Sequence, residues 1–196
     1  MYIYTLKKLS SMRVAVFGKN FADNFAPAIQ FLFTKLVEQH VQLIIYNPFC
    51  KFLYQKINMP ESYRKFETHE DLKKEKADLL LSIGGDGTIL TAITMVKDLE
   101  LPILGINTGR LGFLSSVARE EISTTIKHIV NKDYDLESRS LLQIDKPTDL
   151  FPDQNFALNE LSVLKKDSSS MITVHAFIND IYLNSYWADG LIVATP

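Results

Sequence analysis

Over the first two-thirds of the chain, short unbroken apolar runs alternate with longer stretches of helical spacing. Arg13-Val14-Ala15-Val16-Phe17, closed by Gly18, reads as a buried strand. Asp23 and Asn24 can cap a helix that tolerates Pro27 in its first turn. Phe25, Ala28, Ile29, Leu32, Leu36 and Val37 then recur at i, i+3, i+4 and i+7, which predicts one apolar helix face. Gln42 to Tyr46 is a second strand, ending at Asn47-Pro48. Residues 51–76, with seven Lys/Arg and five Asp/Glu, read as a solvated helix-and-loop region. Leu79-Leu80-Leu81-Ser82-Ile83 is a third buried strand, broken sharply by Gly84-Gly85-Asp86-Gly87. A helix from about Thr88 to Val96, a strand from Pro102 to Ile106 and a helix from Glu120 to Val130 follow. Strands alternating with helices in this way predict βαβ units and a mostly parallel, doubly wound, Rossmann-like sheet.

Near residue 131 the period changes. Leu136–Asp145, Phe156–Leu164, Met171–Ile178, Ile181–Trp187 and Leu191–Ala194 are β-like with turn residues between them, and Asn179-Asp180 reads as a hairpin turn. The expected organisation is an α/β domain over residues 1–131 and the first part of an all-β domain over 132–196, with Trp187 as its anchor. Ser168-Ser169-Ser170 reads as a loop. Met1 to Ser11 carry no clear periodicity, so they are an extension or translation begins at Met12. Leu191 to Pro196 stop inside a strand and its turn, which would leave sheet edges unpaired, so the chain is expected to be truncated.

Composition narrows the class. The 196 residues are 46% hydrophobic and 22% charged, near globular averages, which argues against disorder. A net charge of −2 argues against a dedicated nucleic-acid binder. Cys50 is the single cysteine, so neither an intramolecular disulfide nor a multi-cysteine zinc site is available. No apolar run approaches the ~18 residues of a membrane span, and Lys7 and Lys8 follow the apolar residues that a signal peptide would place after its charges. A cytoplasmic protein without membrane or nucleic-acid partners is the expectation.

The strongest chemical signal is Leu79–Leu90, where a buried strand delivers two glycines, a carboxylate, a third glycine and a helix start. Gly84, Gly85 and Gly87 let backbone N–H groups approach an anion, and the helix N-terminus at Thr88 adds roughly half a positive charge. Phosphate binding beside Asp86 is the chemistry this arrangement favours, at the strand end where α/β folds bind ligands. The other reading is a tight turn with a capping aspartate. The run is neither a Walker A loop nor a GxGxxG fingerprint.

A second glycine loop, Asn107 to Leu114, would emerge on the same sheet edge, where Asn107 and Arg110 could face Asp86 and Phe113 could offer a flat face to a base. The competing reading makes Leu111, Phe113 and Leu114 core. Asn159-Glu160 pairs an amide that suits an adenine edge with a carboxylate that accepts from ribose hydroxyls. Because adjacent strand positions face opposite ways, one of the two is buried or the strand is irregular there. Asp189-Gly190 alone is a common turn. His40, His69, His128 and His175 lack metal-ligand spacing, and Cys50 reads as a small apolar filler.

Taken together, Gly84-Gly85-Asp86-Gly87-Thr88, the Asn107–Leu114 loop, Asn159-Glu160 and Ala188-Asp189-Gly190-Leu191-Ile192-Val193-Ala194-Thr195-Pro196 resemble the NAD kinase family. The first element is shared with diacylglycerol, sphingoid and phosphofructokinase relatives, and the last two discriminate. The resemblance implies an α/β domain followed by a sandwich-like β domain, and ATP-dependent phosphorylation of the adenosine 2′-hydroxyl of NAD to give NADP. It makes Asp86 the catalytic aspartate and places Gly84, Gly85, Gly87 and Thr88 on nucleotide. Asn159 with Glu160 would hold the adenosine part, Phe113 would border adenine, and Asp189 would contact the dinucleotide in a dimer or tetramer. Mg²⁺ would come with ATP, with no protein metal site. The family pattern continues past Pro196 into a Thr-Gly-Ser-Thr-Ala-Tyr-like loop that this chain lacks, and Trp187 stands where many relatives carry a basic residue. The 196 residues alone are therefore expected to turn over poorly. A lipid or sugar kinase on the same turn, or a non-catalytic nucleotide-binding module, are the alternatives.

Overall fold

The computed structural model describes residues 11–110, 112–147, 149–151, 154–166 and 169–195. Residues 1–10 of the candidate extension, Leu111, Ser168 and Pro196 lie outside the described residues. Cα proximity divides the chain into two compact units, Met1–Leu136 and Glu137–Pro196.

In the first unit β1 (Arg13–Gly18), α1 (Ala26–Glu38), β2 (Gln42–Tyr46), α2 (Asn47–Leu53), β3 (Arg64–Phe66), α3 (His69–Glu75), β4 (Leu79–Ile83), α4 (Asp86–Val96), β5 (Ile103–Ile106) and α5 (Ile122–Asn131) follow in order. The strands pair in parallel as β3-β2-β1-β4-β5, the doubly wound sheet that the alternating pattern predicts. Burial on both faces explains the unbroken apolar strands. Val14 and Val16 with Leu43, Ile45, Leu79, Leu81 and Ile83 pack against the α1, α2 and α5 side. Ala15 and Phe17 with Ile44 and Leu80 pack with Leu72 of α3 and Ala92 and Val96 of α4.

Two expectations need correction. On α1 Phe33 is buried and Val37 is 45% exposed, because at about 100° per residue Phe33 lies nearer than Val37 to the centre of the stripe through Ile29, Leu32 and Leu36. The second strand ends at Asn47-Pro48 as expected. Pro48 lies in the first turn of α2, which buries Phe49, Cys50 and Leu53. Residues 51–76 are not simply solvated: Phe66 is buried in the edge strand β3, whose Arg64 and Lys65 are exposed, and Leu72 anchors α3. A capping box between Thr68 and Asp71 starts α3, and these bonds lower the carboxyl pKa of Asp71, the Thr68 side chain most of all.

The second unit is all-β. β6 (Leu142–Gln143) pairs with β7 (Phe156–Ala157), β8 (Glu160–Leu164) with β11 (Gly190–Ala194), and β9 (Ile172–Ile178) with β10 (Ile181–Ala188), each antiparallel. Asn179 and Asp180 both have positive φ, 51° and 64°, as the two-residue hairpin turn requires. Of the expected strand over 136–145 only Leu142–Gln143 forms. Trp187 is no anchor within this chain: its side chain is 76% exposed on β10. Among the described residues no helix is long and apolar enough to cross a membrane.

Candidate active site

The C-terminal ends of β1 and β4 lie side by side, with Gly18 in register with Ile83 and the Lys19 N–H donating to the Ile83 carbonyl. Here the chain order reverses across the sheet, since β2 lies to one side of β1 and β4 to the other. This is the crevice where doubly wound folds take ligands, and the Gly84–Gly87 turn stands at its mouth. Lys19, after β1, is exposed beside it, a position that the sequence pattern did not single out.

Gly84 adopts φ +154°, and a Cβ there would lie 2.1 Å from Thr88 Oγ1, so the turn needs glycine at that point. Thr88 is 6% exposed, and its N–H donates to the Gly85 carbonyl. Thr88, expected on nucleotide, is thus turned inward against Gly84. Gly85 and Gly87 differ, because a Cβ on either would meet nothing within 4 Å. Their open side leaves room for a ligand against the backbone.

Asp86 opens α4, and its carboxylate is held by the backbone of the second glycine loop. Oδ1 accepts the N–H groups of Leu114 (3.1 Å) and Ser115 (2.8 Å), and Oδ2 accepts that of Phe113 (2.8 Å). Three successive N–H groups converging on one anion form a nest. These bonds hold the Asp86 carboxyl below its usual pKa, that of Ser115 contributing most and partial burial opposing them. Gly112 permits the approach: a Cβ there would lie 2.2 Å from Oδ1. An ionised carboxylate offers about four lone-pair sites, and three are taken, so one remains on Oδ2. The open site lies beside Phe113, whose side chain is 97% exposed, so the core reading of Phe113 fails.

The same loop corrects the expectation for Asn107. Its side chain is 3% exposed; its Nδ2 donates to the carbonyls of Arg110 and Ser115, and its Oδ1 accepts the Gly109 N–H. The amide shapes the loop, with both Nδ2 donors spent on loop carbonyls and the side chain buried. Arg110 is exposed, its carbonyl fixed by Asn107. Ser115 is fully buried, and its Oγ donates to the Gly84 carbonyl at 3.0 Å. Sequence reasoning missed Gly112 and Ser115, since backbone donors leave no side-chain signature; the glycine ahead of Phe113 was the available hint.

In the second unit the strand is irregular at Asn159-Glu160, one of the two outcomes the dipeptide allowed. Asn159 has φ +73° between β7 and β8, and both side chains are exposed. The Thr195 N–H donates to the Asn159 carbonyl, tying the start of β8 to the end of β11. Asp189, between β10 and β11, is exposed and forms an ion pair with Lys165 at 2.6 Å. Among the described residues no group of three or more His, Cys, Asp or Glu side chains could hold a metal ion.

An NAD kinase of Flavobacterium psychrophilum is 43% identical over 187 residues, 94% of this chain and 63% of that protein. One of Cytophaga hutchinsonii is 44% identical over 186 residues, again 94% and 63%. The chain therefore spans 63% of the length of these curated relatives. The crystal structure of an NAD kinase from Archaeoglobus fulgidus in complex with ATP superposes with a TM-score of 0.66 at 28% identity, covering 93% of this chain and 60% of that one. Yeast NADH kinase complexed with NADH shares the fold, with a TM-score of 0.73 at 22% identity over 94% of this chain and 57% of that one. The model of the ATP-NAD kinase N-terminal domain matches residues 19–134, more than half the chain and the stretch that holds the Asp86 turn and its clasping loop. With the doubly wound sheet and the glycine–aspartate turn in place, that match establishes that the chain belongs to the ATP-NAD kinase family.

Proposed function

We propose that the full-length protein is an NAD kinase that uses ATP to phosphorylate the adenosine 2′-hydroxyl of NAD, giving NADP. The observation that carries this reading is the carboxylate of Asp86, fixed at a helix N-terminus with one acceptor site open beside the bare Gly85–Gly87 backbone. Phosphate oxygens of the donor lie against that backbone and the α4 N-terminus, where partial positive charge collects. The 2′-hydroxyl donates to Oδ2 of Asp86 and is thereby aimed at the γ-phosphorus.

An ionised carboxylate with a lowered pKa is a weak base for a sugar hydroxyl. Phosphoryl transfer tolerates this, because its loose transition state requires little proton removal before the bond to the leaving oxygen has largely broken. Asp86 orients the hydroxyl and accepts its proton late. A divalent metal such as Mg²⁺, brought with ATP, would neutralise phosphate charge, held mainly by the substrate's own phosphates.

Phe113 offers its exposed ring to adenine, and Arg110 is a cation for phosphate. Asn159 and Glu160 hold the adenosine part through the amide edge and the ribose hydroxyls. Asp189 contacts the dinucleotide once its ion pair with Lys165 gives way. The two units correspond to a nucleotide-binding α/β domain and part of a β domain, in a homo-oligomeric cytoplasmic enzyme.

The test is acceptor competition with γ-labelled ATP and the full-length protein, offering NAD, a diacylglycerol and a fructose phosphate. Label in NADP alone supports the proposal. Label in lipid or sugar replaces it with the corresponding kinase, and calorimetric NAD binding without any transfer replaces it with a binding module.

A further inference from the structure

Ser115 joins the two glycine loops at a single buried point. Its Oγ donates to the Gly84 carbonyl at 3.0 Å, while its own N–H donates to Asp86 Oδ1 at 2.8 Å. The side chain has no solvent exposure, and the residue is pressed against β5: a Cβ at Gly105 would lie 2.7 Å from the Ser115 Cα. Asn107 Nδ2 donates to the Ser115 carbonyl, so donors and acceptors on both sides of the residue are engaged. Gly84 in turn donates its N–H to the Ile106 carbonyl, closing a ring that runs from β4 through the turn to β5 and back through Ser115.

That ring decides how the carboxylate is rotated. Oδ1 is filled by Leu114 and Ser115, and only Oδ2 keeps an open acceptor site. We infer that Ser115 is a positioning residue for phosphoryl transfer, tying the clasping loop to Gly84 so that Oδ2 of Asp86 presents its open site to the acceptor hydroxyl. The inference rests on the kinase reading for its consequence and on the hydrogen bonds for its geometry. Without the hydroxyl, the Gly84 carbonyl loses its partner and the loop loses its anchor. The carboxylate then rotates, and a small misplacement of a reacting group is costly in rate.

The experiment compares Ser115→Ala and Ser115→Cys with Ser116→Ala, an exposed neighbour, in the full-length protein. Cysteine is nearly isosteric and donates weakly, so it reports on the hydrogen bond if the alanine variant does not fold. The expected result is a fall in kcat of about 5- to 30-fold in both Ser115 variants, with KM for NAD within about twofold of wild type. An equal loss in Ser116→Ala, or kcat unchanged in both Ser115 variants, overturns the inference. A second readout does not depend on which acceptor the protein uses: the Asp86 carboxyl carbon is followed by NMR as pH is lowered. Ser115→Cys should move its midpoint upward, since the largest of the bonds favouring the ionised form is loosened. An unmoved midpoint refutes the positioning role, whereas failure of NAD phosphorylation by wild type refutes the kinase reading and leaves this measurement valid.

Discussion

The two units present their candidate chemistry in opposite ways. In the first, Asp86, Gly84, Thr88, Asn107 and Ser115 are engaged with one another, and the Asp86 carboxylate is the knot that holds two loops together. In the second, the side chains of Asn159, Glu160 and Asp189 lie exposed at strand ends, and Asp189 forms an ion pair with Lys165. A residue of the first kind cannot be changed without touching the fold, while one of the second kind can. The difference teaches that activity and stability should fall together at the glycine–aspartate turn and separately at the β-strand sites.

The largest effect is expected at Asp86. Asp86→Asn in the full-length protein should lower kcat by about 10²–10⁴-fold, the usual range for lost general-base assistance, while NAD still binds. An amide nitrogen facing the nest also meets donors with a donor, so unfolding free energy should fall by about 1–3 kcal/mol in urea titrations. Unchanged kcat would remove Asp86 from its assigned role. Gly84→Ala comes next: its φ of +154° and the collision with Thr88 predict a loss of about 1–3 kcal/mol, read from the same titration. A near-neutral result would mean that the turn relaxes freely.

At the strand sites the prediction reverses. Glu160→Ala should stay within about 0.5 kcal/mol of wild-type stability, as exposed positions do, and so should Asn159→Gly, which removes the amide but keeps the left-handed backbone at φ +73°. KM for NAD should nevertheless rise, by about tenfold for each 1.4 kcal/mol of lost contact. If either variant instead unfolds the protein at unchanged KM, the contrast between the units fails. The smallest effect belongs to Gly87→Ala. With open space around the position and a helical backbone, alanine should add up to about 1 kcal/mol of stability while weakening nucleotide binding.

Acid should separate the units as well. The folded-state pKa of Asp86 is lowered, so its bonds contribute fully above the unfolded value of ~3.9 and are lost as pH falls from there through the folded value. Local unfolding of the Phe113–Ser115 loop, followed by amide exchange, should therefore rise in that window and not at neutral pH.

How far the sequence reveals this depends on which forces write into side chains. The β4–turn–α4 unit was legible because five buried apolar-run residues followed by a cluster of glycines suit little else than a central strand ending in a tight turn. The Asn179–Asp180 turn was legible because both residue types tolerate positive φ. β3 was not, because Arg64 and Lys65 on an edge strand look like the charged loop around them and only Phe66 is buried. Nor was the clasp on Asp86: its donors are backbone N–H groups from residues 27 to 29 positions downstream, invisible to any local pattern. Asn107 was misread because an amide that closes an Asx turn and one that meets a ligand are the same residue type in the same kind of loop. Phe113 could have been core or surface on pattern alone, and tertiary context decided it.

One structure would test the central claim most directly: the full-length protein crystallised with NAD and a non-hydrolysable ATP analogue. The adenosine 2′-oxygen is expected within about 2.6–3.2 Å of Asp86 Oδ2, with Oδ1 still held by Leu114 and Ser115. A 2′-oxygen out of hydrogen-bonding reach of both carboxylate oxygens, with the Phe113–Ser115 nest still filling the same sites, would contradict it.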